Sequence, residues 1–244
     1  MNQGVTRECN PSFFCDNAPM SNVSAFVFDA YGTLFDVQSV TATAEAIAPR
    51  QGGVLSQIWR TKQLEYSWLQ SIMLSPSTPR DDFRALTAKA LDYALSQLMI
   101  QADEAARTRL VDAWLGLTAF PDAADALAHL APRPRWILSN GTRAMLEPMV
   151  AQSSIAAHVD GILSVDDAGV YKPSPRVYQL AVDRLRLAPA AIGFVSANGW
   201  DAAGAKAFGF TTFWINRNGL PVERHAAAPD FVLNSLAELA ALEV

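Results

Sequence analysis

The chain carries several short apolar runs, each stopping abruptly at a polar residue. Val23 to Phe28 ends at Asp29. Trp136-Ile137-Leu138 ends at Ser139-Asn140-Gly141, and Ile192-Gly193-Phe194-Val195 ends at Ser196. Gly161-Ile162-Leu163-Ser164-Val165 and Thr212-Phe213-Trp214-Ile215, the latter ending at Asn216, repeat the pattern. The runs do not alternate apolar with polar, which predicts strands buried on both faces. Helical patterns over roughly 142–151, 174–186 and 200–207 separate the later runs. Strand–helix alternation predicts an α/β fold, a doubly wound parallel sheet. Ligands of such sheets sit at the carboxyl ends of the strands. Asp29, Ser139, Ser196 and Asn216 all stand at such ends, which groups distant residues into one candidate site.

Between the first strand and the rest the period changes. Leu55, Ile58 and Trp59 with Leu64, Trp68 and Leu69, then Phe83, Leu86, Ala90, Leu91 and Leu95, then Leu110, Trp114 and Leu117 follow helical spacing. Pro76 and Pro79 mark a turn, and no clear strand interrupts the segment. Residues 37–118 therefore read as an inserted all-α cap subdomain, with 21–36 and 119–244 forming the core. Residues 1–20 lack a pattern and read as a disordered extension, with Met20 offering a second start.

Composition adds limits. Half of the 244 residues are hydrophobic, enough for a sizeable core. No apolar run spans a bilayer, so no membrane partner is expected. The net charge of −5 argues against nucleic acid, which favours a basic surface. The first segment holds one basic residue, Arg7, and no long apolar stretch, so it does not read as a signal peptide. The two cysteines, Cys9 and Cys15, fit a reducing cytoplasm better than a disulfide framework.

The chemistry-bearing segments are Phe28-Asp29-Ala30-Tyr31-Gly32-Thr33-Leu34, Ser139 in Ile-Leu-Ser-Asn-Gly, Lys172 in Val-Tyr-Lys-Pro, and Ser196-Ala197-Asn198-Gly199-Trp200-Asp201. A carboxylate at a strand end can attack carbon or phosphorus and form an ester, splitting a hard displacement into two steps. Gly32 lets the chain turn sharply behind it. Lys172 would hold Asp29 ionised and oriented, and Thr33 and Ser139 can donate to it or to an anionic substrate. Asp29 alone would read as a loop cap; four ordered segments on strand ends outweigh that reading.

These four segments resemble, in order and spacing, the motifs of the haloacid dehalogenase (HAD) superfamily. The resemblance implies a HAD-like Rossmannoid core and Asp29 as nucleophile. Superfamily phosphatases usually carry a second aspartate where this chain has Tyr31, together with paired acidic residues where it has Ser196-Ala197-Asn198. A halide leaves as a stable anion and needs no proton, so losing that acid suits dehalogenation and harms ester hydrolysis. Fewer carboxylates also make a poorer magnesium site, so neither metal nor cofactor is expected.

Ile58-Trp59-Arg60-Thr61-Lys62-Gln63-Leu64-Glu65-Tyr66 resembles the cap helix of the narrower L-2-haloacid dehalogenase family. Arg60, Leu64 and Trp68, four apart, share a helix face. The resemblance implies that Arg60 draws off the halide and that Leu64 walls the alkyl group. It places Tyr178 near the nucleophile or substrate, and Asn140 with Ser139 on the substrate carboxylate or halide. Ser196, Asn198 and Asp201 would orient or activate water. Trp200 would line the halide side, with a plain core tryptophan as competing reading, and Asn198 also fits a helix cap. Asp166 and Asp167 read as loop residues, Asp36 as structural, and His129, His158 and His225 as surface or packing residues.

The expected activity is hydrolysis of a small halogenated carboxylic acid, an L-2-haloalkanoic acid or haloacetate, to a 2-hydroxy acid with inversion at C2. The resemblance also implies a homodimer. A magnesium-dependent small-molecule phosphatase, a hydrolase of another activated carbon and a non-catalytic binding scaffold remain as alternatives at this point.

Overall fold

The computed structural model describes residues 22–73, 75, 77, 79–224 and 227–242. The expectations for residues 1–20, Cys9, Cys15, Pro76 and His225 lie outside them. Six strands form one parallel sheet: β1 (Ala25–Phe28), β4 (Arg135–Ser139), β5 (Gly161–Ser164), β6 (Ile192–Ser196), β7 (Thr211–Ile215) and β8 (Phe231–Leu233). Their spatial order is β5-β4-β1-β6-β7-β8. The chain leaves β1 to build one half of the sheet, then returns to build the other. β1 lies at this switch point, pairing Phe28 with Ile137 on one side and Val195 on the other. A crevice opens at such a point, and Asp29 follows the last residue of β1.

All four residues of β1 are buried, as are all five of β6. Burying each Val or Phe here contributes about 1.5–3 kcal/mol, which explains the unbroken apolar runs. The intervening helices α6 (Arg143–Ala151), α7 (Pro175–Leu185) and α8 (Gly199–Phe208) fall within a residue or two of the predicted spans. Gly204 lets α8 approach closely: a Cβ there would stand 2.6 Å from Pro173 and 2.7 Å from the Tyr178 hydroxyl.

Four α-helices and a short 3-10 turn (Ala113–Leu115) separate β2 (Phe35–Asp36) from β3 (Thr118–Ala119): the α-helices are α1 (Gln38–Ile47), α2 (Gly52–Ile72), α3 (Phe83–Gln97) and α4 (Glu104–Asp112). The expectation of no strand within 37–118 is corrected at its last residue by β3, which pairs antiparallel with β2 through Phe35↔Ala119 and Asp36↔Thr118. The chain thus leaves and re-enters the sheet layer as a two-stranded ribbon. Asp36 accepts from Gln38 N at 2.9 Å, a structural role at the start of α1.

The packed stripe of α2 also differs from the expected one. Leu55, Trp59, Gln63 and Ser67 are buried, whereas Leu69 is 40% exposed and Leu64 and Trp68 are half-buried. The stripe runs through two polar positions because hydrogen bonds to α3 and within α2 satisfy them. Helices α5 (Ala123–His129) and α9 (Leu236–Ala241) complete the fold. No helix among the described residues is long and apolar enough to cross a membrane.

Candidate active site

The site starts with a turn. Ala30 O receives the backbone N–H groups of Thr33, Leu34 and Phe35, and Gly32 takes φ +85, a left-handed conformation that glycine adopts without strain. The turn brings Thr33 back over Asp29. Ala197 N donates to Thr33 Oγ1 at 2.8 Å, and Thr33 in turn donates to Asp29 Oδ2 at 3.1 Å. Asn198 Nδ2 donates to the same oxygen at 2.7 Å and to Tyr31 O at 3.1 Å. Asn198 is the first residue of the turn into α8, yet its side chain makes no capping bond there. The capping expectation is corrected: the amide serves Asp29 instead of the helix.

Lys172 is buried between two carboxylates. Its Nζ donates to Asp29 Oδ1 at 3.1 Å and to Asp201 Oδ2 at 2.8 Å. Burial opposes its charge, but Asp201 and Asp29 outweigh burial and raise the ammonium above its ordinary value. The segment before it is anchored from the helical insert: Ser71 Oγ accepts from Tyr171 N, and Tyr171 Oη donates to Asp81 O. Asn140 Oδ1 accepts from Lys172 N at 3.1 Å, so the end of β4 holds the lysine's backbone.

Asp201 is fully buried in the first turn of α8. Burial pushes its carboxyl up to about 6, while Lys172 and a hydroxyl from Tyr178 pull it back. Tyr178 was expected near nucleophile or substrate. It is fully buried, and its hydroxyl donates to Asp201 Oδ1 at 2.8 Å, so its direct partner is Asp201 rather than a ligand. Ser196 Oγ accepts from Asn198 N at 3.1 Å and shapes the turn. Ser139 is fully buried and accepts from Gly141 N at 3.2 Å.

Each of the four carboxylate oxygens of Asp29 and Asp201 already receives a donor from the protein. No cluster of three His, Cys, Asp or Glu that could hold a metal occurs among the described residues. Lys172 thus sets an ammonium between these two carboxylates, where a magnesium ion would compete with it for the same oxygens.

The apolar side is built by the helices. Tyr31 is 2% exposed, stacks on Phe83 and meets the edge of Trp114, and its hydroxyl is buried without a partner. Burial pushes the phenol well above its ordinary value, Arg60 opposing and Asp29 reinforcing. Arg60, on α2, lies with its guanidinium 5.5 Å from the Trp114 ring and donates to Gln63 Oε1 at 2.5 Å. Among the described residues no carboxylate stands within ion-pair distance of it. Burial lowers its pKa, and Asp29 is the first of the charges that push it back up. Trp200 is not a core tryptophan: it is half-buried, its ring 5.5 Å from Trp68 of α2.

The remaining expected positions separate from the site. Asn216 stands at a strand end, but both ends of its amide close a loop onto Leu220. Asp166 and Asp167 are exposed and pair with Arg80 and Arg143. His129 is exposed and His158 half-buried in a short turn. Trp114 and Gln63 contact Arg60 and were not singled out from sequence. The 55–59–63–67 spacing on α2 is the signal that could have found Gln63.

An aspartate at the switch point of a parallel sheet, held by a buried lysine, matches the arrangement of a class of hydrolases. The chain belongs to the haloacid dehalogenase-like hydrolases, whose family model matches residues 23–209. It is 40% identical over 240 residues to the (S)-2-haloacid dehalogenase of Xanthobacter autotrophicus, covering 89% of this chain and 93% of that protein. It is 38% identical to a haloacetate dehalogenase of Moraxella sp., covering 91% of this chain and all of that one. The structure of L-2-haloacid dehalogenase from Xanthobacter autotrophicus with chloropropionic acid covalently bound superposes with a TM-score of 0.82. It is 40% identical and covers 90% of this chain and 98% of that one.

Proposed function

We propose that the chain hydrolyses short L-2-haloalkanoic acids, haloacetates included, to 2-hydroxy acids with inversion at C2, through an ester on Asp29 and without a metal. Asp29 Oδ1 accepts from Lys172 and Oδ2 from Thr33 and Asn198; with Oδ1 as the attacking oxygen, both neutral donors stay on the oxygen that becomes the ester carbonyl. Oδ1 attacks C2 from the face opposite the halogen. The carbon–halogen bond breaks with its electron pair leaving on the halide, which moves toward Arg60. No proton is transferred, so Tyr31 in place of an acid costs nothing.

Water then attacks the Asp29 carboxyl carbon. Thr33 and Asn198 already donate to the oxygen on which negative charge develops. Asp201 and Ser196 orient and activate that water, Asp201 with a carboxyl poised nearer neutrality than an ordinary aspartate. Breakdown passes one of the water's protons to the departing C2 oxygen, restores the Asp29 carboxylate, and frees the 2-hydroxy acid and the second proton. Ser139 and Asn140 bind the substrate carboxylate; Tyr31, Leu64 and Trp200 wall its apolar part. Tyr178 acts one shell further out, through Asp201.

The observation that carries halide over phosphate is Arg60: a guanidinium with a neutral partner, within electrostatic reach of a nucleophile that has no acid beside it. The donors on all four carboxylate oxygens of Asp29 and Asp201 count against the magnesium phosphatase alternative. In this reading residues 37–118 form a cap over a core of 21–36 and 119–244, and the protein works as a homodimer in the cytoplasm. The acidic net charge counts against a nucleic-acid partner.

The test is a single turnover of chloroacetate by excess enzyme in ¹⁸O-water. The ester route puts label in the Asp29 carboxylate and none in the first glycolate, with or without EDTA. Label in the first glycolate, or halide release that stops with EDTA, overturns the reading.

A further inference from the structure

The cation assigned to the leaving halide is held by a hydrogen-bond chain that lies outside the reacting centre. Gln63 and Thr87 are both fully buried, on facing positions of α2 and α3. Arginine only donates, so Gln63 must turn Oε1 to Arg60 Nη1, at 2.5 Å. That turns Nε2 to Thr87 Oγ1, at 2.7 Å. Thr87 sends its own hydrogen to Phe83 O at 2.6 Å, leaving its lone pairs for the amide. Thr87 O accepts the indole N–H of Trp59 at 2.8 Å. Each donor has one acceptor and the amide cannot flip without breaking two bonds.

The identity of the amide matters as much as its place. A carboxylate at position 63 would hold a half-buried guanidinium more tightly, because charge-assisted hydrogen bonds are the stronger kind. It would also neutralise the charge that a departing anion needs. Gln63 does the first task without the second: it fixes the guanidinium and leaves its charge uncompensated.

We propose that Gln63, oriented by Thr87, is a positioning residue for halide departure, acting through Arg60. This rests on Arg60 being the halide receptor. The step it serves is the first one, in which the Asp29 oxygen–C2 bond forms while the carbon–halogen bond breaks with its electrons onto the halide. Hydrolysis of the ester on Asp29 involves no halide and is not served by it.

The experiment follows the two steps separately in the full-length protein. Chloroacetate and excess enzyme are mixed, chloride is read for the first step, and decay of the Asp29 ester is read by mass spectrometry of quenched protein for the second. Gln63→Glu slows chloride release about a hundredfold, and its Thr87 hydroxyl turns from Phe83 O to the new carboxylate, which only accepts. Its ester decays within about twofold of the wild-type rate. Thr87→Val slows chloride release about tenfold, because the amide loses its fixed partner. Thr87→Ser, which keeps the oxygen, restores the rate. Chloride release at the wild-type rate in Gln63→Glu overturns the inference, as does an equal loss in both steps. Wild-type enzyme that releases no chloride overturns the function first and the inference with it, which separates the two failures.

Discussion

The Tyr178 hydroxyl donates to Asp201 Oδ1 at 2.8 Å, with both side chains fully buried. Burial pushes Asp201 up to about 6, and this bond is among those that restrain the rise. Tyr178→Phe removes the restraint, so Asp201 keeps its proton to higher pH. Protonated Asp201 carries no charge for Lys172 or for water. Turnover by the wild type therefore falls as pH drops through about 6, and Tyr178→Phe moves that limb upward. A pH profile of kcat checks this; a limb that stays or moves down refutes it.

Lys172→Met leaves Asp29 and Asp201 buried without their cation. Breaking a buried pair in this way costs about 3–5 kcal/mol near neutral pH. Protons can replace the lost ammonium, so the deficit shrinks as pH falls through the raised range of Asp201. Thermal unfolding of both proteins at neutral and acid pH measures the gap. Turnover falls below about a thousandth of wild type.

Arg60→Lys keeps a charge but loses the planar fork that meets Gln63 and lies by Trp114. Chloride release is expected to fall about a hundredfold, with little change in thermal midpoint. Retained release would remove Arg60 from the halide's path.

The Tyr31 hydroxyl is buried with no protein group in hydrogen-bond reach. Leaving such a group unpaired costs about 1–3 kcal/mol, so Tyr31→Phe raises the thermal midpoint, by about 2–4 °C for each kcal/mol gained. Because halide needs no acid, kcat stays within about threefold while KM rises. A collapse of kcat would show that the phenol takes part in the chemistry.

Asp122 accepts from both Arg217 Nη atoms at 2.9 Å and from Leu236 N at 2.9 Å, tying α5 to α9. Burial raises its carboxyl, but Arg217 more than reverses this and holds it below its ordinary value. A carboxyl depressed in the folded state contributes stability that is complete above the unfolded pKa and is lost as pH falls through the folded one. Asp122→Asn is thus destabilising by about 1–3 kcal/mol at pH 7. The difference from wild type narrows in acid, as thermal melts from pH 7 to pH 3 would record.

The strands that place the site were legible because burial on both faces leaves no polar position to break the run, and each run ends where the chain meets the crevice. β8 was not, because it is an edge strand whose Val232 is 49% exposed. Helix α1 buries only Val40 and Ala44, too few apolar positions to set a period. The ribbon of β2 and β3 pairs two residues with two across the whole helical insert, a contact no local pattern announces. Gln63 and Thr87 stayed hidden for the opposite reason to the strands: a buried polar residue looks solvent-facing until its partner on another helix is known. Asn216 misled because a strand end predicts position but not where a side chain turns.

Asn198 leaves α8 without a side-chain cap at its first turn. Variants selected only for heat resistance would therefore be drawn to Asn198→Ser or Asn198→Asp, which restore a cap and about 1 kcal/mol of helix stability. Either change withdraws an amide from the nucleophile. Thermostability and turnover are set against each other at this one position, and an engineering campaign on this enzyme should screen it for activity first.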